Sequence, residues 1–362
     1  MSINEIIIYI MVIFMVLGAL DRILGNRFGL GNEFESGILA LGSLALSMVG
    51  IISLAPVLAT VLRPIILPFY RLFGADPAMF AGSILANDMG GAPLAMELCE
   101  TVDAGHFGGL IVGSMFGPTI VFTIPVALGI ISEADRPFLA KGVLAGVITI
   151  PLGALAGGLV AGYSLKMILI NLIPIVIFAV LIVLGLLFAE RAMIRGFTVF
   201  GKIIVILITI GLASAIVEQL TGFVVIPGMA PITDGMTIVA DIAIVLAGAF
   251  PLVFVITKVF KKPLLKLGRL LGMNEVAAAG MVASLANSIP MFGLLKDMDD
   301  RGKIINIAFA VSAAFVFGDH LGFTAGFAPD MLLAVIIGKL TGGVTAIFAA
   351  LLLTRRQPHG AN

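Results

Sequence analysis

The residues that could do chemistry in this chain are a small set of polar side chains in otherwise apolar sequence. These candidate site residues are Asn87, Asp88, Thr119, Asn287, Ser288, Asp319 and His320. Charged groups inside membrane segments cost about 3 kcal/mol each on insertion scales, so they are seldom kept without a function. The set combines carboxylates, amides and hydroxyls. By contrast, Lys339 is the only Lys or Arg of the sequence that lies within an apolar stretch. We therefore expect a site for a small cation, or for an amine that carries a hydroxyl group.

Each candidate also has a purely structural explanation, and the sequence leaves both readings open. The two asparagines could cap backbone groups that a helix end leaves unpaired. Asp88 could cap a following helix at its positive end. Asp319 and Lys339 could neutralise each other. His320 could relay protons, because the unperturbed pKa of imidazole is about 6.5, or it could be a hydrogen-bonded structural residue.

Most of the candidates fall in or near two stretches of similar sequence. Residues 81–94 read AGSILANDMGGAPL, and residues 279–292 read AGMVASLANSIPMF. Both contain Ala-Gly, then Leu-Ala-Asn, then a polar residue and a proline. Proline lacks an N–H and glycine loses backbone entropy, so both stretches predict a broken helix. Their flanks are too apolar for a surface turn. Paired broken helices in two halves of a chain therefore indicate a transport site near the membrane midplane.

The composition indicates an integral membrane protein. Hydrophobic residues make up 60% of the chain and charged residues 12%, whereas soluble domains carry roughly 25% charged residues. Acidic and basic residues balance at 21 each, so the net charge gives no indication of nucleic-acid binding. Cys99 is the single cysteine, which rules out an intrachain disulfide. The N-terminus has no basic region before its apolar run, so we interpret it as a first membrane helix and not as a cleaved signal.

Apolar runs of about 20 residues predict nine membrane spans in an all-α fold. The predicted spans are residues 3–20, 37–62, 105–131, 138–163, 166–189, 197–217, 237–260, 303–325 and 328–354. Two further segments, 75–101 and 273–295, contain the broken stretches. Each follows a short basic amphipathic segment, 63–74 or 261–272, of the kind that lies in a membrane interface.

The order of these segments predicts two repeats of inverted topology. The first repeat is 1–163 with a hairpin at 75–101, and the second is 197–354 with a hairpin at 273–295. Residues 164–196 form a connector helix, and 355–362 form a cytoplasmic tail. Because each repeat holds four spans and the connector adds one, the second repeat enters the membrane upside down. Within the repeats, Phe116-Gly117-Pro118-Thr119 aligns with Phe317-Gly318-Asp319-His320.

The distribution of basic residues predicts that both broken segments are re-entrant hairpins. Cytoplasmic loops collect Lys and Arg. If both segments return to the side from which they enter, nearly all the Lys and Arg of the loops fall on one side; if both cross, the two sides become similar. The re-entrant topology places the N-terminus outside and the C-terminus in the cytoplasm. Non-helical backbone at membrane depth must be buried in protein or line a wet cavity, so the two tips should meet near the centre.

No enzyme signature is present in the sequence. There is no Walker A loop with Gly-Lys-Ser/Thr, which argues against an ATP-driven pump subunit. The three histidines are scattered, and one cysteine cannot build a zinc site. We therefore expect neither a metal nor a cofactor. A channel is an alternative, but broken helices in both halves favour a carrier with a binding site.

The motifs ANDMGGAPLA at 86–95, LANSIPMF at 285–292 and FGDHLGF at 317–323 resemble the EutH-like family of ethanolamine utilisation transporters. The resemblance extends over essentially the whole chain in length, span pattern and motif order. It implies a permease that imports ethanolamine across the bacterial cytoplasmic (inner) membrane. Ethanolamine then feeds a cobalamin-dependent ammonia-lyase, often inside a microcompartment. The expected partners are thus ethanolamine and the lipid bilayer, without nucleic acid.

The residues favour a carrier or facilitator in which Asp88 and Asp319 hold the ammonium group. Asn87, Asn287 and Ser288 would then bind the hydroxyl or shape the tips. One alternative is a Na⁺- or H⁺-coupled carrier of another small solute that uses the same carboxylates. Another is a membrane sensor or scaffold that binds without transport. The sequence does not decide between monomer and homo-oligomer.

Overall fold

The structure is a computed structural model that describes residues 2–354, without the side chains at 260, 261, 264 and 267. The predicted cytoplasmic tail, 355–362, lies outside the described residues. All regular secondary structure within 2–354 is helical. In the first half the helices are α1 Ile3–Ile23, α2 Leu30–Leu72, α3 Ala78–Ile84, α4 Gly91–Leu98, α5 Val102–Val112, α6 Phe116–Ile130 and α7 Arg136–Val160.

The second half contains the same kinds of element after one connecting helix. Its helices are α8 Leu165–Phe188, α9 Glu190–Thr221, α10 Ile232–Leu270, α11 Glu275–Ala286, α12 Ser288–Leu294, α13 Asp300–Ala313, α14 Asp319–Phe327 and α15 Leu332–Thr354. Helix α8 coincides with the predicted connector span.

The predicted all-helical membrane class is confirmed. Among the described residues, seven helices are long and apolar enough to cross a membrane, and an eighth is obtained if α5 and α6, which meet at 41°, form one bent span. The prediction of about nine spans differs at 303–325. There the chain is divided into α13 and α14, because residues 314–318 are not helical and Phe315 takes a left-handed φ of 63°. Neither piece is long enough to span a bilayer alone.

The predicted interfacial segments are not separate helices. Residues 63–72 continue α2 without interruption, and residues 261–270 continue α10. Pro64 and Pro68 sit inside α2 and Pro263 inside α10. A helix can pass through a proline when it bends slightly and neighbouring groups satisfy the freed carbonyl, as is common in membrane helices.

Both broken segments turn back to the end from which they start. At the first, the Asp76 carboxylate accepts the backbone N–H groups of Glu100 and Thr101 at 2.9 and 3.3 Å, which joins the two ends of the segment. At the second, Asp299 Oδ1 accepts the Asn274 backbone N–H at 2.7 Å. The α3–α4 pair is called hairpin 1 and the α11–α12 pair hairpin 2.

Small residues bring the helices behind the hairpins into close contact. A Cβ on Gly146 of α7 would lie 2.4 Å from Val311 Cβ of α13. A Cβ on Gly153 of α7 would lie 2.6 Å from the carbonyl oxygen of Gly338 in α15. Glycine thus permits the backbone-to-backbone packing that membrane helices use in place of a hydrophobic driving force. The compact α7–α13–α15 group supports the break between α13 and α14.

Candidate functional site

Hairpin 1 reverses through a short, buried turn. Helix α3 ends at Ile84, Leu85 is extended, and Asn87–Met89 form a single 3-10 turn. Gly90 follows with φ 92°, and a Cβ there would lie 2.3 Å from Ile51 Cγ1 of α2. Glycine is therefore required for both its backbone angle and its lack of a side chain. The Asn87 backbone N–H donates to the Gly113 carbonyl at 2.9 Å, which fixes this tip to the break between α5 and α6.

Hairpin 2 reverses at Asn287, which is extended, with φ −155° and ψ 135°. Its side-chain Oδ1 accepts the Ile289 backbone N–H at 2.8 Å and so caps α12. The break between α13 and α14 is bonded to this hairpin. The Phe315 N–H donates to the Ser284 carbonyl at 3.0 Å, and the Phe317 N–H donates to the Leu285 carbonyl at 2.9 Å.

The two helix breaks contact their hairpins in the same way. A Cβ on Gly117 would lie 1.9 Å from the Leu85 carbonyl oxygen, and a Cβ on Gly318 would lie 2.0 Å from the Ala286 carbonyl oxygen. These glycines occupy equivalent positions in the aligned FGPT and FGDH motifs. In each half, the hairpin backbone at the turn packs directly against a glycine at the break.

A cavity of about 330 Å³ lies between the two tips, the two breaks and the middle of α2. It brings together four of the predicted site residues. These are Asp88, Asn287, Asp319 and His320. Ala86, Met89 and Pro118 also line the cavity. A polar cavity that is enclosed by broken helices can bind a small polar solute away from lipid.

The other three predicted residues lie behind the cavity wall. Asn87 is fully buried, and neither of its side-chain polar atoms has a hydrogen-bond partner within residues 2–354. Ser288 is likewise buried, and its hydroxyl has no partner in the described part of the chain. Thr119 donates to the Met115 carbonyl at 2.8 Å, and its hydroxyl also lies 3.4 Å from the Val311 carbonyl of α13. Thr119 and Ser288 thus lie within the wall in this conformation and do not line the cavity.

The charged groups of the site form a short series. His320 Nε2 lies 3.7 Å from Asp88 Oδ1, within ion-pair range but beyond hydrogen-bonding distance. Lys339 is fully buried and donates to the Ser114 carbonyl at the α5–α6 break. Among the described residues, no carboxylate lies within ion-pair distance of the Lys339 ammonium group, so the structure contains no Asp319–Lys339 ion pair.

Asp319 differs from Asp88 in having no countercharge. Its carboxylate makes no hydrogen bond or ion pair with any side chain or backbone group among residues 2–354, and it faces the cavity. Asp88 lines the same cavity. An unpaired carboxylate beside a second carboxylate is costly inside a membrane. A bound cation would relieve this cost, so Asp319 is the strongest candidate to hold an ammonium group.

Sequence reasoning missed the contribution of α2. Ser43 and Ser47 line the cavity beside a π-helical turn at Ala45–Val49. Ser47 donates to the Ser43 carbonyl at 3.0 Å, so its oxygen can still accept a bond from a solute. Single π-turns occur frequently at functional sites. The sequence signal was two serines four residues apart in an apolar span, which places both on one helix face.

Aromatic side chains close one side of the cavity. The Phe315 ring lies 5.1 Å from the His320 ring and 5.5 Å from the Phe122 ring, measured between centroids. Aromatic faces attract cations, and the attraction is larger when the cation is desolvated. The cavity therefore combines carboxylates, an amide and hydroxyls with an apolar aromatic wall, which suits an organic ammonium ion better than a bare metal ion.

A second cavity, of about 280 Å³, adjoins the first. Asn287 and Asp319 line both cavities. The second is otherwise formed by the first turns of α2 and by α10. Its lining there consists of Glu33, Ser36, Phe250, Val253, Phe254 and Thr257.

Comparison with known proteins gives full-length matches. The family model described as "Ethanolamine utilisation protein, EutH" matches residues 3–353. A Listeria monocytogenes protein named "Probable ethanolamine permease EutH" is 67% identical over 357 residues, covering 99% of this chain and 96% of the relative. An Escherichia coli K12 protein with the same name is 51% identical, with 99% and 97% coverage.

A third relative has no assigned function. The Bacillus subtilis protein named "Uncharacterized protein YxeR" is 52% identical, covering 99% of this chain and 96% of the relative. No solved structure matches this chain. On the strength of the family model and these full-length relatives, this chain belongs to the EutH family of ethanolamine utilisation proteins.

Proposed function

We propose that this protein is a permease that carries ethanolamine across the bacterial cytoplasmic membrane. The observation that carries the proposal is the cavity in which Asp88 and Asp319 converge with Asn287 at two helix breaks. Ethanolamine is a small ammonium ion with one hydroxyl, and these groups supply negative charge together with an amide. The names of the relatives from Listeria and Escherichia coli support the same solute.

Within the cavity we assign the ammonium group to Asp319, with Asp88 as the second carboxylate. Asn287 and the α2 hydroxyl groups of Ser43 and Ser47 accept or donate to the solute hydroxyl. Asn87, Ser288 and Thr119 then serve to shape the tips and the wall. The cavity is much larger than ethanolamine, so water shares it with the solute.

The contacts between chain segments support the predicted grouping of helix ends on two sides of the membrane, and the distribution of basic residues supports placing the N-terminus outside and the C-terminus in the cytoplasm. Asn4 Oδ1 accepts the Leu333 N–H at 2.9 Å, which joins two helix starts that the topology places outside. Lys303 Nζ lies 2.7 Å from Asp135 Oδ1, which joins two segments that it places in the cytoplasm. On this topology, hairpin 1 opens outward, hairpin 2 opens inward, and the two halves are inverted repeats.

The deciding experiment is uptake of radiolabelled ethanolamine by proteoliposomes that contain the purified protein. We expect saturable uptake above that of empty vesicles. Asp319→Asn should reduce uptake at least tenfold, because loss of a buried charge-assisted contact costs about 1.5–3 kcal/mol. Asp241→Asn, which removes an exposed carboxylate from α10, is the matched control and should transport normally. Uptake equal to that of empty vesicles would overturn the proposal.

A specific observation also favours a second mechanism, in which ethanolamine transport is coupled to protons. His320 and Asp88 line the solute cavity, and the fully buried Lys339 is a third titratable side chain of the site. Such a group can exchange a proton as the carboxylates gain or lose a bound cation. If transport is proton-coupled, an imposed pH gradient will drive ethanolamine accumulation and His320→Gln will abolish that drive. A dependence on a Na⁺ gradient would instead favour sodium coupling.

A further inference from the structure

The second cavity contains an acidic side chain that the proposed solute site does not use. Glu33 lies in the first turn of α2, is partly exposed, and lines this cavity together with Asp319. Within residues 2–354 its carboxylate makes no hydrogen bond and no ion pair. The neighbouring acids behave differently. Glu35 pairs with Arg22 at 3.2 Å, and Asp21 accepts the Gly31 N–H at 3.0 Å.

The surroundings of Glu33 suit an organic cation. Ser36 and Thr257 provide hydroxyl groups, and Thr257 donates its own proton to the Phe254 carbonyl at 2.9 Å, which leaves its oxygen as an acceptor. Phe250 and Phe254 provide aromatic faces to the same cavity. A carboxylate, hydroxyl acceptors and aromatic rings together are the groups that recognise an alkylammonium ion.

One face of the Phe254 ring carries the protein's own cation, because Lys258 Nζ lies 4.0 Å from the ring centroid. A solute ammonium ion therefore competes with Lys258 at this ring and binds mainly through Glu33 and Phe250. The ring is also held in place from the other element, because a Cβ on Gly29, at φ 84°, would lie 3.0 Å from Phe254 Cζ. A side chain at position 29 would displace the ring, so glycine there lets Phe254 close the cavity beside Glu33.

The two cavities share one carboxylate, because Asp319 lines both of them. Asp88 and Asp319 line the first cavity, and Asp319 and Glu33 line the second. Together the two cavities place three carboxylates, Asp88, Asp319 and Glu33, in positions between which an ammonium ion can move.

We propose that Glu33, with Ser36, Thr257 and the two phenylalanines, forms a second subsite for a primary ammonium ion, next to the Asp319 site. This inference rests on the proposed transport of ethanolamine. On the proposed topology the subsite faces the cytoplasm, and the solute occupies it after leaving Asp319. Glu33 thus supplies the negative charge at the inner mouth.

A carboxylate in the first turn of a helix also complements the helix dipole, which would make Glu33 a structural residue. The two roles predict different measurements. A carboxylate close to a thiol attracts a cationic reagent in either role, but only a subsite binds ethanolamine and so protects the thiol from a neutral reagent. The test therefore compares reagents of different charge and also measures protection by the solute.

The test uses the full chain in a Cys99→Ser background, with Ser36→Cys as a reporter in the second cavity. The probes are 2-aminoethyl methanethiosulfonate, which carries a primary ammonium, and neutral propyl methanethiosulfonate. With Glu33 present, the cationic-to-neutral ratio of labelling rates should be about tenfold higher than with Glu33→Gln, because a charge pair at the edge of a protein is worth roughly 1–2 kcal/mol. Glu35→Gln is the matched control on the same helix and should leave the ratio unchanged.

Protection by solute completes the test. Ethanolamine should slow labelling of the thiol by the neutral reagent, and 1-propanol, which has the same shape without the charge, should not.

Equal cationic-to-neutral labelling ratios for the proteins with Glu33 and with Glu33→Gln would overturn the subsite. Absence of protection would do the same, provided that the unmodified protein transports ethanolamine. Failure of the unmodified protein to take up ethanolamine is a separate result, which overturns the proposed function. Equal neutral-reagent rates in Glu33 and Glu33→Gln proteins will show that both are folded alike.

Discussion

The two hairpins have similar sequences but differ in how firmly the protein holds them. Hairpin 1 is enclosed: a Cβ on Gly82 would lie 1.8 Å from the Gly108 carbonyl oxygen, so its backbone packs directly against α5. Hairpin 2 is more open. Ile289 is 42% exposed, and the atoms nearest to a Cβ on Gly280 would all be side-chain atoms, the nearest being Met298 Cε at 2.4 Å. The same Leu-Ala-Asn turn therefore forms a fixed wall in one half and an accessible surface in the other.

The asparagines at the two tips differ in the same way, since the first is buried and the second is accessible. Asn87 is buried and contributes no side chain to the cavity, whereas Asn287 caps α12 and lines both cavities. Asp88, the next residue along, reaches the cavity from the first tip. The first hairpin, which is tightly packed, therefore contributes the Asp88 carboxylate to the cavity. The second hairpin, which is less tightly packed, contributes the Asn287 amide. Each prediction below tests whether this contrast is real.

A large loss of stability is expected at the first tip. Gly90→Ala should destabilise the protein by about 3 kcal/mol or more, because alanine would have to adopt a left-handed angle and would also collide with Ile51. Ser288→Ala at the second tip should be neutral or stabilising by up to about 1 kcal/mol, since it removes a buried hydroxyl without a partner. Thermal unfolding in detergent measures both. Equal losses in the two variants would contradict the contrast between the tips.

The second prediction concerns an ion pair between the halves, near the base of hairpin 2. Lys303 and Asp135 are both largely buried and lie 2.7 Å apart. Asp135→Asn should cost about 3–5 kcal/mol, because it leaves the lysine charge buried without its partner.

The double variant Asp135→Asn with Lys303→Met serves as the control for the ion pair. It should recover most of the stability, because neither partner then leaves an uncompensated charge. If the single variant unfolds at the same temperature as the unmodified protein, the pair does not hold the base of hairpin 2.

The third prediction compares the two bases. Asp76 accepts three backbone N–H groups, from Ala78, Glu100 and Thr101, and Asp299 accepts two. Asp76→Asn should cost about 2–3 kcal/mol, since an amide presents N–H groups where acceptors are needed. Asp299→Asn should cost about 1–2 kcal/mol for the same reason with one fewer bond.

Hydrogen exchange can locate the consequence of each change. Opening of the hairpin 1 base should expose the amides of α4 in the Asp76 variant, and opening of the hairpin 2 base should expose those of α12 in the Asp299 variant. If both variants exchange fastest in α12, hairpin 1 is fixed by its packing against α5 and not by the bonds at its base.

Much of this architecture was predictable from the sequence because its signals are local. Gly, Pro and Asn within apolar flanks predicted both broken segments, and the FGPT and FGDH motifs were aligned as equivalent positions in the two halves. Asp88, Asn287, Asp319 and His320 were predicted to meet, and the structure places all four around one cavity. That convergence followed from the requirement that irregular backbone in a membrane must be buried or wet.

The remaining features depend on packing that local sequence does not encode. The apolar hairpin flanks did not distinguish a buried Asn87 from an accessible Asn287, because the two turns have nearly the same letters. The division of 303–325 into two helices depends on the left-handed angle at Phe315, an aromatic residue that rarely adopts it. Glu33 was not predicted because it is unusual only in lacking the partners that Glu35 and Asp21 have.

The smallest expected effect on stability, and the sharpest test of the second tip, is at Asn287. Asn287→Ala removes the cap on α12 and should cost about 1 kcal/mol. Asn287→Ser retains a capping oxygen and should restore most of that loss, but its shorter side chain cannot reach a solute in the cavity. If Asn287 binds the ethanolamine hydroxyl, KM for uptake should rise several-fold in both variants, since one hydrogen bond is worth about 1 kcal/mol. If Asn287 is only a cap, Asn287→Ser will have both normal stability and normal KM. Hairpin 2 would then hold the cavity open without touching the solute, and Asp319 at the adjoining break would provide the binding energy alone.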